Sequence, residues 1–578
     1  MVRYFSFLVL LFSVNSVAQL MQQVATPYEK GNKNQTATYQ ETMSFFVDLE
    51  KKFPTIIIKE MGLTDSGLPL HLILFNPDKV FDLEKIAKTK AVLLINNNIH
   101  PGEPDGVDAS TQLLRDLAIG KIKVPKNTVV AMIPFYNIGG TLNRNSTSRA
   151  NQNGPESYGF RGNARHYDLN RDFIKSDTKN ARSFAALFHE VNPDVFIDNH
   201  VSNGADYQYT FTYIQTQYQK LGEKLGKFLN EEMMPEIRKQ LKKQNIETIP
   251  YVNVYGTTPE SGFAQFMDSP RYSTGYASLF NAIGFMPELH MLKNYEERVK
   301  AAYEFMKVSL QYTDENYLKI KRLRKENEAN FQSNTNYTIA WEIDSIKRIK
   351  IPFLGYEAAY KKSLISGKDR LYYDQNKPFN KEIPFYPDYK SVKEITIPSA
   401  YIIPKSWWNV IDLLKLNKIE MVALKRDSLV EVEKYRIEDY KTVSVAYEGH
   451  YNHYKTNVSS SMETMLFKKG DFLIPTQQAG VKFLLETLEP EATDSYFNWN
   501  FFDAILQRKE NYSDYVFEEL AVEILANNSK LKDEFETRKK ENITFSENAK
   551  QQLDWIYKHS DYYEKGHLQY PVYRILKK

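Results

Sequence analysis

Residues 91–106, AVLLINNNIHPGEPDG, constrain the fold more than any other stretch of the chain. From Ala91 to Asn96 every residue but the last is apolar, too unbroken a run for a strand with one wet face. It reads as a central strand covered on both sides. Asn96 to Asn98, followed by Pro101-Gly102, forbid its continuation. His100 and Glu103 are thereby delivered at the strand's C-terminal end, where open α/β sheets place their ligand crevices. An imidazole and a carboxylate three residues apart can both reach one divalent cation. Of the 10 histidines only His100 has an acidic residue three positions on, yet 72 acidic residues in 578 yield about one such pair by chance. The pair alone does not define a site.

At 578 residues the chain exceeds one ordinary core, which implies two or three domains. Its 75 basic and 72 acidic residues nearly balance, and no basic stripe carries interleaved aromatics. Nucleic acid is excluded as an expected partner. With no cysteine, disulfides, thiolate metal sites and cysteine nucleophiles are all excluded, so any metal must be held by His, Asp and Glu. Residues 1–18, MVRYFSFLVLLFSVNSVA, combine Arg3, an apolar stretch and small residues Ser16 and Ala18 at signal-peptidase spacing. They predict a cleaved signal and an exported chain, periplasmic or extracellular. No later segment reaches transmembrane length. Nothing in the sequence fixes an oligomeric state.

Beyond the signal, residues 19–37 read as a polar leader, 39–52 as a helix, and 55–61 and 69–75 as strands. A helix at 107–117 and a strand at 128–135 follow, then a loop from 141 to 171 too long to be a mere connection. A helix at 178–191 precedes a short strand, PDVFID, that ends at His200, the second histidine delivered by a strand end. One long helix is expected at 219–243, a strand or helix end at LFNAIGFMPELH with Glu288 and His290, and a helix at 295–312. This alternation predicts one α/β domain over 38–315. A charged helical connector at 316–334, a β-rich module at 335–475 and a partly helical region at 476–578 complete the expected organisation.

The order His100-x-x-Glu103, Asn170-Arg171, His200 and Glu288 resembles the zinc carboxypeptidases of the carboxypeptidase A-like family, over about residues 35–315. HxxE alone is weak and DLNR moderate; their order carries the resemblance. It implies a mixed-sheet α/β catalytic domain and Zn2+ held by His100, Glu103 and His200, with a fourth position left for water. Glu288 falls where the family has its general base. Asn170 and Arg171 match the pair that grips a peptide's terminal carboxylate. Asp168 matches the outer carboxylate that orients the first histidine. Asp172 stands where the family more commonly has Asn, which leaves the shape of the carboxylate pocket open. An oxyanion arginine belongs between Asn137 and Asn170; Arg149 is chosen over Arg144 and Arg161. Tyr272 and Tyr276 are the candidates for a tyrosine covering substrate, and His290 is expected outside the metal ligands.

The sequence thus predicts an exported zinc metallocarboxypeptidase acting on peptides with a free C-terminus, with β-rich and helical accessory regions after the catalytic domain. Two alternatives stand beside it. The same scaffold could cut cell-wall peptides or other amides, or the chain could be a non-catalytic binding protein.

Overall fold

The computed structural model describes residues 24–577; the expected signal segment lies outside them. The N-terminal part carries strands β1 (Ile56–Leu63), β2 (Pro69–Phe75), β3 (Ala91–Asn96), β4 (Thr128–Ile133) and β5 (Val195–Asp198). These are followed by β6 (His200–Ser202), β7 (Phe211–Gln215), β8 (Thr248–Pro250), β9 (Phe263–Ala264) and β10 (Ile283–His290). All but β9 form one mixed sheet in the order β1-β2-β4-β3-β5-β10-β7-β8, with β6 also paired to β10. β4, β3, β5 and β10 run parallel, so their C-terminal ends open on one crevice.

Every residue of β3 is buried. Its side chains alternate between two cores, as the two-residue period of a strand requires. Leu93 and Ile95 pack under the helices Asp105–Ala118 and Tyr295–Glu315, against Leu113, Leu117 and Phe305. Val92 and Leu94 pack under the helix Lys179–Val191, against Phe184, Leu187 and Phe188. Each such side chain contributes about 1.5–3 kcal/mol on burial, which fixes the strand that leads into the His100 turn.

Local signals place most of the elements. The helix at Tyr39–Lys52 starts at Thr38, whose side chain and Glu41 satisfy each other's backbone N–H groups. The single helix expected at 219–243 is broken instead. Gly222 adopts φ +121°, and a Cβ there would sit 2.3 Å from Asn327 Oδ1. A π turn at Leu229–Met233 then separates Glu223–Phe228 from Met234–Lys243. The described part of the expected leader, from residue 24, is not loose: buried Arg115 holds Glu29 through two hydrogen bonds of 2.6 and 2.7 Å.

The rest of the chain carries β11 (Asn336–Ile343), β12 (Ile349–Lys362), β13 (Asp369–Tyr386), β14 (Tyr389–Thr396) and β15 (Ala400–Ile403). It continues through β16 (Val422–Ala423), β17 (Ser428–Thr442), β18 (His453–Phe467), β19 (Phe472–Pro475) and β20 (Tyr573–Ile575). β13 pairs with β9, and the β12–β13 hairpin packs Phe353, Ile383 and Phe385 against Tyr207, Val252 and Phe263. A sheet ordered β16-β19-β15-β20-β17-β18 follows the chain almost to its last described residue. Tyr401, Phe483 and Trp499 share one core with Phe184 and Tyr276. The β-rich region is therefore built onto the α/β part, not set beside it as a separate module.

Candidate active site

Three of the parallel strands end in the site. Beyond β3 the chain turns through Asn98 in the left-handed region, and the Glu103 N–H bonds the His100 carbonyl at 2.8 Å. The turn brings both side chains to one side before the helix Asp105–Ala118 begins. β5 passes through Asp198 and Asn199 into His200, and Asn199 Nδ2 donates to Asn97 Oδ1 at 2.8 Å, locking the two loops together. In β10, Glu288 pairs in register with His200.

One imidazole nitrogen of each histidine and a carboxylate oxygen of Glu103 all lie within 4.8 Å of one another. The Nδ1 atoms of His100 and His200 are each 3.2 Å from a Glu103 oxygen. Their Nε2 atoms point away, to Asp168 Oδ1 at 2.9 Å and Asp198 Oδ2 at 3.0 Å. His100 Nδ1 is buried without a hydrogen-bond partner among the described residues. Two imidazoles with Nδ1 turned inward, one of these nitrogens orphaned, and a carboxylate fit a divalent cation.

The charges follow from burial. Burial pushes the Glu103 carboxyl up, but His100 and Arg149 outweigh it and hold it well below the usual range. Burial lowers the His200 imidazole, and Asp198 more than reverses this. Burial raises Glu288 to about 8, with His200 opposing and Glu103 adding to the rise. These groups share a cavity of about 160 Å³ with Arg161, Asn170 and Arg171. The Ser273 N–H bonds Asn170 Oδ1, leaving the amide NH2 for the cavity. The Arg171 guanidinium lies over the Tyr272 ring, 4.6 Å from its centroid.

No protein-family model matches the chain. Curated proteins do. It is 21% identical over 438 residues to Carboxypeptidase 2 of Trichophyton tonsurans, covering 72% of this chain and 74% of that protein. Carboxypeptidase 2 of Trichophyton rubrum matches at 21% over 441 residues, 72% and 74% of the two chains. The chain is thus similar to these two carboxypeptidases over nearly three quarters of its length. Solved structures that overlay on it include carboxypeptidase A from Helicoverpa armigera, at 13% identity and TM-score 0.38 over 52% of this chain and 81% of that one. A metallo-carboxypeptidase from Burkholderia cenocepacia overlays at 15% and 0.36, over 49% and 70%.

The structure places the arginines of the loop 141–168 as follows. Arg149 does not line the cavity; it lies behind Glu103, its Nη1 2.9 Å from Oε1. Arg161 lines the cavity instead, held by Asp168 Oδ2 at 2.8 and 3.0 Å. Arg144 bonds the Thr36 carbonyl. The register of this loop is set by contacts with distant residues, which no local pattern records.

Tyr276 is also displaced from its expected role. It is fully buried among Phe173, Phe184, Phe188 and Phe280, and its hydroxyl donates to Asn417 at 2.6 Å. Tyr272, one turn earlier, does line the cavity, together with Tyr251 and the exposed Tyr255. Asp172 is fully buried and takes hydrogen bonds from Lys175, Asp177 and Thr178, so it organises the turn after Arg171 and does not itself line the cavity. His290 bonds Asp206 at 2.9 Å and stacks on Tyr207, outside the three converging donors. Sequence reasoning missed Asp198 altogether, though its place two residues before His200 at a strand end was the available signal.

Proposed function

We propose that the chain is an exported zinc metallocarboxypeptidase. The observation that carries this is the convergence of His100, Glu103 and His200 beside Glu288, in the same cavity as Asn170 and Arg171. The three ligands would hold zinc; when bound, it supplies Lewis acidity that polarises a carbonyl and makes water a better acid.

The remaining work belongs to the side chains. Arg171 and the Asn170 amide grip the peptide's terminal carboxylate, a forked partner for a planar guanidinium. Burial alone raises the Glu288 carboxyl, and the charge of a cation held by its neighbours would bring it back to the ionised form. In that form it takes the proton of the attacking water and passes it to the departing amine. Arg161 stabilises the oxygen that gains negative charge. The cavity is lined mostly by polar groups, Asn203, Asn253 and Tyr255 among them, with Ile214, Phe266 and Met286 behind.

The test is release of the last residue from matched peptides ending in Phe or Lys, as free acids and as amides. Zinc should bind one to one, and the free acids should be cleaved in preference to the amides. Glu288→Gln should keep the zinc and lose about 10³-fold in kcat. Full activity in that variant overturns the mechanism, and equal cleavage of acid and amide overturns the role of Arg171.

A further inference from the structure

Arg171 meets a group that the catalytic reading does not use. Its Nε donates to the hydroxyl of Tyr447 at 2.8 Å, across 276 residues of sequence. Tyr447 lies in the connection from β17 to β18, within the C-terminal part of the chain.

That connection is seated firmly on the site's outer wall. Tyr447 and His450 exchange backbone hydrogen bonds of 2.7 and 3.0 Å, closing a tight turn. Glu448 Oε2 accepts the Asp168 N–H at 2.8 Å, and His450 Nε2 meets Asp177 Oδ2 at 2.7 Å. Gly449, at φ +80°, allows the approach, since a Cβ there would lie 2.6 Å from the Tyr167 hydroxyl. Behind the turn, the Tyr447 ring stacks on buried Trp499 with centroids 6.3 Å apart.

A guanidinium can offer a carboxylate either its Nε–Nη2 edge or its Nη1–Nη2 edge. Here Nε is taken by Tyr447, and Nη1 donates once to the Asn170 carbonyl at 2.8 Å. The Nη1–Nη2 edge is the one left for a ligand in the cavity.

We propose that Tyr447 is a positioning residue that fixes the edge Arg171 presents, so that the C-terminal region sets the chain's preference for a free terminal carboxylate. This rests on Arg171 acting as the carboxylate clamp. The probes are N-acetyl-phenylalanine and its amide, with binding measured by calorimetry on the full-length zinc-loaded protein. Wild type should bind the acid at least tenfold more tightly than the amide. Tyr447→Phe, which keeps the ring on Trp499, should weaken the acid about tenfold, leave the amide within twofold and leave Tm unchanged. In an Arg171→Lys background the same substitution should have no further effect on the acid.

Absence of any acid preference in wild type would overturn the clamp itself. A wild-type preference that survives Tyr447→Phe, or equal weakening of acid and amide, would overturn the role of Tyr447 alone. Should the variant not fold, the Arg171 Nε–H of the wild-type chain decides: slowed hydrogen exchange is expected, and exchange as fast as in exposed arginines refutes the contact.

Discussion

At the scale of single residues, the candidate metal group is defined as much by its outer carboxylates as by its ligands. Asp168 and Asp198 hold the Nε2 atoms of the two histidines and so turn both Nδ1 atoms toward Glu103. Asp198→Asn should therefore weaken zinc binding about 10- to 100-fold, read by competition with a chelator, while the fold persists. Arg161 and Arg149 should separate in kinetics. Arg161→Ala should cost about 10² in kcat with zinc retained, whereas Arg149→Ala, which unpairs Glu103, should show itself in metal affinity. The residues legible in the sequence, His100, Glu103, His200 and Glu288, stand on or just beyond strand ends, where buried apolar runs fix their place. Arg149 and Tyr276, which the structure leaves outside the cavity, lie in segments whose register depends on partners far away.

Among the elements, buried strands declared themselves and wet ones did not. β3 and β4 are continuous apolar runs buried along their whole length, whereas β12 and β13 expose both faces for most of theirs and leave no alternation to read. The helix Val481–Leu488 is wholly buried and carries Lys482, whose Nζ lies 4.5 Å from the Phe331 ring centroid. Burial lowers this lysine to about 7, with Lys220 adding to the fall and Glu486 opposing it. Between pH 7 and its ordinary value of about 10.5 the unfolded chain binds the proton and the folded chain does not, so this group makes stability rise with pH there. Lys482→Met removes that slope. The variant should be more stable than wild type by on the order of 2 kcal/mol at pH 6 and nearly equal to it above pH 10, measured by urea unfolding.

For the molecule as a whole, one hydrophobic core joins the N-terminal α/β part to the C-terminal region. Tyr401, Phe483 and Trp499 lie in the core that also holds Phe184, Phe188 and Tyr276. A chain ending at residue 334 strips that core of one side, and each large apolar group exposed costs about 1.5–3 kcal/mol. It should be insoluble or lack a cooperative thermal transition; a soluble remainder with full activity would show the two parts to be independent. This could not be read from composition, because the contacts that join the parts lie hundreds of positions apart. Residues 573–575 lie between β15 and β17, with Arg574 paired to Glu433 and Glu489, and the turn bracing Arg171 hangs from β17. Loss of residues 573–575 alone would therefore open the sheet between β15 and β17, on the strand that carries the turn against Arg171.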